Sequence, residues 1–244
     1  MNKDNLKNIH CLNYNNIYLN IEDIKCFNDF NELNDMCISF YYEYMIKEKY
    51  SKLANNVILL DPSIISCIYF EQNIKEIYLM LFNLQLNLKS VIFIPVNDNT
   101  NKFKPGGGSH WALLIYVLSD NIFYYLDSTI SYIKTIDNIA LKLMYIIKDN
   151  IKDIDISINS SVNDDYPDKL IVNCNIERKQ FNSYDCGMFV LEFTENLLKY
   201  LLLNKFSFSN TYLPDILKNI KQENIKSKRL QILSIINNLN KKLL

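Results

Sequence analysis

Glycine is nearly absent from this chain, and where it does occur constrains the fold more than any other feature. Of 244 residues only four are glycine: Gly106, Gly107 and Gly108 in one run, and Gly187 alone. A chain so poor in glycine keeps it where a Cβ cannot be accommodated, in a loop of special backbone or at a close approach. The run ends two residues before His110, and Gly187 directly follows Cys186. Both special places therefore border a residue capable of acid–base or nucleophilic chemistry. A plain surface turn is the competing reading of the triple glycine.

The length predicts one globular unit over residues 1–244, and no internal repeat or Pro/Ser/Gly-rich linker marks a boundary. Lys and Arg number 26 against 27 Asp and Glu, a net charge of -1. Such a balance supplies no field for gripping a phosphate backbone, so nucleic acid is not an expected partner. The N-terminus lacks the apolar core of a secretory signal, and charges such as Glu43, Lys47 and Glu71 interrupt every apolar run before it reaches membrane-spanning length. The expectation is a soluble, cytoplasmic or nuclear monomer without membrane contact. Cys11, Cys26, Cys37, Cys67, Cys174 and Cys186 form no CxxC pair and stand near no histidine at zinc-ligand spacing. They read as free thiols, and no metal or cofactor is expected.

Along the chain, the first thirty residues read as irregular. Apolar residues at helical spacing predict a helix from Asn34 to Tyr50 with Asn34 or Asp35 as its cap. Val57 to Leu60 reads as a strand, and Asp61-Pro62 as the start of a helix running to Phe70. A second helix is expected from Ile74 to Leu86. Val91 to Val96 reads as a buried strand, followed by a long polar loop from Asn97 to Ser109. Trp111 to Leu118 and Ile122 to Leu126, separated by Ser119-Asp120-Asn121, form an expected hairpin. A helix from Ile133 to Lys148 and a strand near Leu170 to Cys174 follow. The wide apolar arc after Cys186 predicts a largely buried helix. The C-terminal region 205–244 holds two further amphipathic helices from Tyr212 on, with Lys226 to Arg229 read as a solvated helix face.

The hairpin carries the first mechanistic inference. His110 stands at the start of its first strand and Asp127 at the end of its second, and antiparallel pairing puts those two ends side by side. Cys186, at a helix N-terminus, would feel the positive end of the helix dipole, which favours thiolate. Asp185 beside it works the other way unless its side chain turns outward. With only His10 and His110 in the chain, and His10 in a polar segment read as solvated, His110 is the expected base. Asp127 would hold its far ring nitrogen. The Cys186 backbone N–H and the Gln180 side-chain amide could bind an oxyanion. By pattern alone Cys186 is equally readable as an inert core cysteine, and Gln180 as an exposed loop residue.

Three segments settle on a resemblance: Gly107-Gly108-Ser109-His110-Trp111-Ala112-Leu113-Leu114, Tyr124-Tyr125-Leu126-Asp127-Ser128 and Gln180-Phe181-Asn182-Ser183-Tyr184-Asp185-Cys186-Gly187-Met188. They resemble the catalytic blocks of the sentrin/SUMO-specific (Ulp-type) cysteine proteases, in the order His, Asp, Gln, Cys. The form of Asn182 to Met188, and the glycine-bearing insertion after Val96-Asn97-Asp98-Asn99-Thr100, are most similar to the deneddylase branch, which acts on a Nedd/Rub-type ubiquitin-like modifier. The resemblance implies an α+β domain of the papain-like superfamily, with a central antiparallel sheet flanked by helices and the nucleophile at a helix N-terminus. It implies catalytic His110, Asp127 and Cys186, and an oxyanion hole of Gln180 and the Cys186 N–H. It also implies a loop bearing Asp98, Asn99, Gly107 and Gly108 that closes over the modifier's tail.

Trp111 would pack on the tail's paired glycines, where an aromatic lid admits only residues without side chains; a core tryptophan at a strand start is the other reading. Asp35 matches an acidic family position that contacts the modifier, though its place at a helix start accounts for it equally. Glu32-Leu33-Asn34-Asp35 departs from the family's Trp-Leu-Asn-Asp, and Phe30 could substitute in part for the missing wall. The implied reaction is hydrolysis of the peptide or isopeptide bond after the modifier's Gly-Gly. The rivals are a SUMO-specific protease, an acyltransferase with the same triad, which would consume acetyl-CoA, and a modifier-binding module without turnover.

Overall fold

A computed structural model describes residues 11–104, 106–129, 134–152, 171–173, 179–204 and 213–243. His10, the polar connection after residue 152 and the Leu170 and Cys174 ends of the expected strand lie outside the described residues. A five-stranded sheet organises the rest, in the order β3 (Val57–Leu59), β4 (Val91–Asn97), β5 (Trp111–Val117), β6 (Ile122–Leu126) and β7 (Ile171–Asn173). The three central strands are antiparallel, with Val91 opposite Val117 and Asn97 opposite Trp111. Both outer strands pair parallel to their neighbours, so the sheet is mixed rather than antiparallel throughout. A parallel pairing needs a crossover, and each edge has one: the helices α3 (Pro62–Phe70) and α4 (Ile74–Asn83) lie between β3 and β4, and α5 (Lys134–Lys152) between β6 and β7.

The central strands are apolar at nearly every position because both faces are covered. On β4 and β5, Val91, Phe93, Trp111, Leu113, Ile115 and Val117 face one core, which also holds side chains of α2 (Asp35–Tyr44), α6 (Cys186–Leu203) and α8 (Gln222–Leu243). Ile92, Ile94, Val96, Ala112, Leu114 and Tyr116 face the other, under α3, α4 and α5. The alternation along a strand thus sorts side chains between two cores instead of between core and water. Helix α6 runs through the first core with twelve of its residues buried, from Cys186 to Leu201. The short α7 (Leu213–Leu217) leads from it toward α8.

Two expectations are corrected. From Cys11 on, the N-terminal segment is regular: β1 (Cys11–Tyr14) and β2 (Ile17–Asn20) form a hairpin, and α1 (Ile21–Cys26) follows. Asn15 takes the left-handed turn position at φ 53°, and Asn20 and Asp23 make a reciprocal capping box for α1. The alternation of Leu12, Tyr14 and Leu19 was the available signal, and all three are buried. The helix expected to reach Tyr50 leaves α geometry after Tyr44 and ends in a π turn over Met45–Lys49. Elsewhere the caps act as read: Asn34 accepts from the Cys37 N–H at 3.0 Å, and Asp61 from Ser63 at 2.8 Å with Pro62 at the first helical position. Among the described residues, no helix is long and apolar enough to cross a membrane.

Candidate active site

The β5–β6 hairpin delivers a histidine–carboxylate pair. His110 immediately precedes β5, Asp127 immediately follows β6, and Nε2 of the imidazole lies 2.9 and 3.0 Å from the two Asp127 carboxylate oxygens. Burial works against a charged imidazole here. Hydrogen bonds to Asp127 and Cys186, with the charges of both, outweigh it and raise the His110 pKa from 6.5 to about 10. His110 is therefore an imidazolium at neutral pH. Since Nε2 is committed to Asp127, Nδ1 is the ring nitrogen left for Cys186.

Asp127 is itself fixed. Its Oδ1 accepts from the Thr129 N–H at 2.8 Å and the Thr129 hydroxyl at 3.0 Å, and Oδ2 from the Tyr125 hydroxyl at 3.4 Å. Burial, and then the nearby carboxylates of Asp127 and Asp137, raise the Tyr125 phenol far above its ordinary value, so it stays a donor.

Cys186 is the first residue of α6 and buried. Gly187, next to it, has no room for a side chain: an added Cβ would lie 2.9 Å from Leu33 Cβ. The Leu33 carbonyl in turn accepts from Trp111 Nε1 at 3.0 Å. The glycine after the nucleophile position thus lets α6 press against the segment that also anchors the tryptophan. Trp111 is buried, with its indole committed to Leu33. Phe30, at φ 70°, is 75% exposed, and its ring meets that of Tyr184 edge-on at 5.5 Å, while Glu32 is exposed.

Gln180 is buried rather than exposed. Its Oε1 accepts from the Ser128 hydroxyl at 2.6 Å, and Nε2 donates to the Asn182 carbonyl at 2.7 Å, so the orientation of the amide is set from both ends. Ser128 was not singled out in the sequence, although it directly follows Asp127. It couples the hairpin to the loop before Cys186, since its carbonyl also accepts the backbone N–H groups of Lys179 and Gln180.

The loop before His110 is built from its own side chains. Asp98 accepts from the backbone N–H groups of Ser109 at 2.6 Å and His110 at 3.0 Å, and Asn97 donates to the His110 carbonyl at 3.2 Å. A Cβ on Gly108 would fall 1.8 Å from Asn97 Oδ1, and one on Gly107 2.7 Å from the Lys104 carbonyl. Asn99 bonds within the loop, to Lys104 and Asn101. The glycines are therefore required by the packing that positions His110. Asp98 and Asn99, expected to meet a modifier, are engaged in the same packing. Asp35, half-buried in the first turn of α2, has its carboxyl raised above the ordinary value by burial and then by Asp61.

Residues 31–239 match the Ulp1 protease family, C-terminal catalytic domain. The chain belongs to the Ulp1 protease family. It is 32% identical to the "Probable sentrin-specific protease 8" of Dictyostelium discoideum, across 94% of this chain and 98% of that protein. Against the "NEDD8-specific protease 1" of Arabidopsis thaliana it is 26% identical, across 87% of this chain and 89% of the other. The fold is that of the yeast C-terminal Ulp1 protease domain solved in complex with Smt3, with a TM-score of 0.67 at 18% identity over 98% of this chain and 96% of that one. As an Ulp1-family member it is a cysteine protease, with a sheet flanked by helices as the resemblance implied.

The basic run Lys226 to Arg229 is solvated only in its first half, where Lys226 and Ser227 are exposed. Lys228 is buried and pairs with Glu192 at 3.0 Å and with Glu195, and Arg229 is 2% exposed. Arg229 and Asp185 form a buried ion pair at 2.6 Å, which answers how a carboxylate next to Cys186 is accommodated. No local pattern marks Arg229 as buried, because its partners are 44 residues and more away in sequence.

Proposed function

We propose that the protein hydrolyses the peptide or isopeptide bond after the C-terminal Gly-Gly of a Nedd/Rub-type ubiquitin-like modifier. The observation that carries this is the line Asp127–His110–Cys186, its histidine and cysteine buried, with an imidazolium held against the cysteine at the head of α6. The relatives named as NEDD8-specific proteases support the choice of modifier.

In this reading the Cys186 thiolate attacks the carbonyl of the modifier's last glycine. The oxyanion is held by the Cys186 N–H and the Gln180 amide. His110, charged at neutral pH, gives its proton to the leaving amine as the tetrahedral species collapses, and then as a neutral base takes one from the water that opens the thioester. Asp127 orients the ring and stabilises its positive charge. The exposed ring of Phe30, edge-on to half-buried Tyr184, which lies close in sequence to Cys186, offers an aromatic wall where Glu32 supplies none. Binding of the modifier over Trp111, Asp35 and the loop of Asp98, Asn99, Gly107 and Gly108 completes the proposal.

The test uses Nedd8, SUMO and ubiquitin carrying a C-terminal electrophile, with intact-mass detection, on the wild type and Cys186→Ala. A Nedd8 adduct on the wild type, absent from the variant, is the expected result. Labelling by SUMO alone would keep the nucleophile and overturn the modifier. An adduct that survives in Cys186→Ala would overturn the mechanism.

A further inference from the structure

Aspartate is among the best helix N-caps, because its carboxylate accepts from backbone N–H groups of the first turn. Asp185 occupies that position on α6 and makes no such bond. Both its oxygens point into other partners. Oδ1 accepts from Arg229 Nη2 at 2.6 Å and Nε at 3.0 Å, and Oδ2 from Asn182 Nδ2 at 2.8 Å and Gln222 Nε2 at 2.5 Å. Arg229 is immobilised in turn, donating to the carbonyls of Cys26 at 2.9 Å, Asn28 at 3.0 Å and Asn31 at 2.7 Å.

The consequence appears at the head of α6. Among the described residues, no acceptor is bound to the backbone N–H groups of Cys186, Gly187 or Met188, and the first donor engaged is Phe189, to the Asp185 carbonyl at 3.0 Å. These are the unsatisfied donors with which a helix N-terminus attracts negative charge. A carboxylate in the ordinary capping pose would occupy the N–H of Gly187 or Met188 and bring its own charge against Cys186. Among the described residues, His110 interacts with Cys186, Asp127 lies behind that histidine, and Asp185 of the Asp185–Arg229 pair adjoins the cysteine along the chain.

We propose that Arg229 is a positioning residue for catalysis: it holds Asp185 withdrawn from the cap, so that the head of α6 stays open to the thiolate and to the oxyanion. This rests on Cys186 being the nucleophile. The same guanidinium ties down the turn carrying Phe30, so the C-terminal helix braces both the nucleophile and the exposed aromatic wall.

The test follows alkylation of Cys186 by iodoacetamide against pH, read from the mass of its peptide, together with steady-state turnover of a Nedd8 conjugate. The proteins are wild type, Arg229→Met, Arg229→Lys and Arg229→Met/Asp185→Ala, each checked for folding by circular dichroism. In Arg229→Met the alkylation midpoint moves up by about one pH unit, as an added nearby negative charge requires. Its kcat falls about tenfold or more with KM little changed, the sign of a contact made only in the transition state. The double variant, which has no carboxylate to swing inward and no unpaired buried charge, returns the midpoint to the wild-type value. If Arg229→Met does not fold, Arg229→Lys replaces it, with a smaller upward shift expected because an ammonium cannot hold Asp185 in two bonds. An unmoved midpoint in the folded single variant, or a double variant shifted as far as the single one, would show that Arg229 serves the fold alone. A wild-type Cys186 that does not alkylate at any pH would instead defeat the nucleophile assignment on which the proposal rests.

Discussion

Replacing Asp127 by Asn preserves the shape of the side chain and removes its charge, and the outcome follows from the forces on His110. Burial favours the neutral ring, and only Asp127 and Cys186 bring its pKa to about 10. An opposite charge in hydrogen-bond contact is worth about 1–3 pKa units, or about 1.4–4 kcal/mol at about 1.36 kcal/mol per unit. In the proposed reaction His110 protonates the leaving amine, so kcat/KM for an amide-linked Nedd8 substrate falls as pH rises through the pKa of the free enzyme's imidazole. The wild-type limb is expected near pH 10. In Asp127→Asn it moves down by about 1–3 units, and turnover near pH 7 drops by about 10²–10⁴-fold as ring orientation is lost as well.

Stability has the matching sign. The folded pKa of His110 lies above its unfolded value, so the contribution is fully present below about pH 6.5 and disappears as pH rises through about 10. Urea unfolding should therefore find the wild type more stable than Asp127→Asn by about 1.4–4 kcal/mol near pH 6, with the gap closing in alkali. An alkaline limb that stays where it is in the variant, or a gap that does not narrow, would refute the reasoning.

Three further outcomes follow from single contacts. Ser128→Ala strips the 2.6 Å donor from the buried Gln180 Oε1; steady-state kinetics should show kcat down about tenfold with KM unchanged, and a change confined to KM would remove Gln180 from the transition state. Gly187→Ala places a Cβ 2.9 Å from that of Leu33, and overpacking of about 1–3 kcal/mol should lower the melting temperature measured by calorimetry. Gly108→Ala would drive a Cβ to 1.8 Å from Asn97 Oδ1 and disturb the two side chains that hold the His110 backbone; turnover should fall about 10²-fold while the far-UV spectrum stays that of the wild type.

Much of the site was legible in one dimension because its parts are local. His110 and Asp127 are brought together by a hairpin whose turn and alternation lie within eighteen consecutive residues, 110–127. Caps at Asn34 and Asp61 depend on neighbours two or three positions away. The N-terminal hairpin is equally local, but its Asn-Asn turn lies in a segment so rich in polar residues that its short alternation is masked.

The sequence by itself determined the candidate residues of the site, His110, Asp127, Gln180 and Cys186, and their order along the chain. It also marked, through Gly107, Gly108 and Gly187, where packing leaves no room for a side chain, and through Gly106 a left-handed backbone position. What blocks a Cβ at those places only the tertiary structure decided: Asn97 at Gly108, and Leu33 at Gly187 from more than a hundred residues away. It likewise decided that Gln180 is buried and held by Ser128, and that Arg229 leaves the expected solvated face to neutralise Asp185 beside the nucleophile. The physical reason is common to these cases. Hydrogen-bond and charge partners of a buried polar group are set by which elements pack together, and packing between distant segments leaves no period or spacing in the chain to be read.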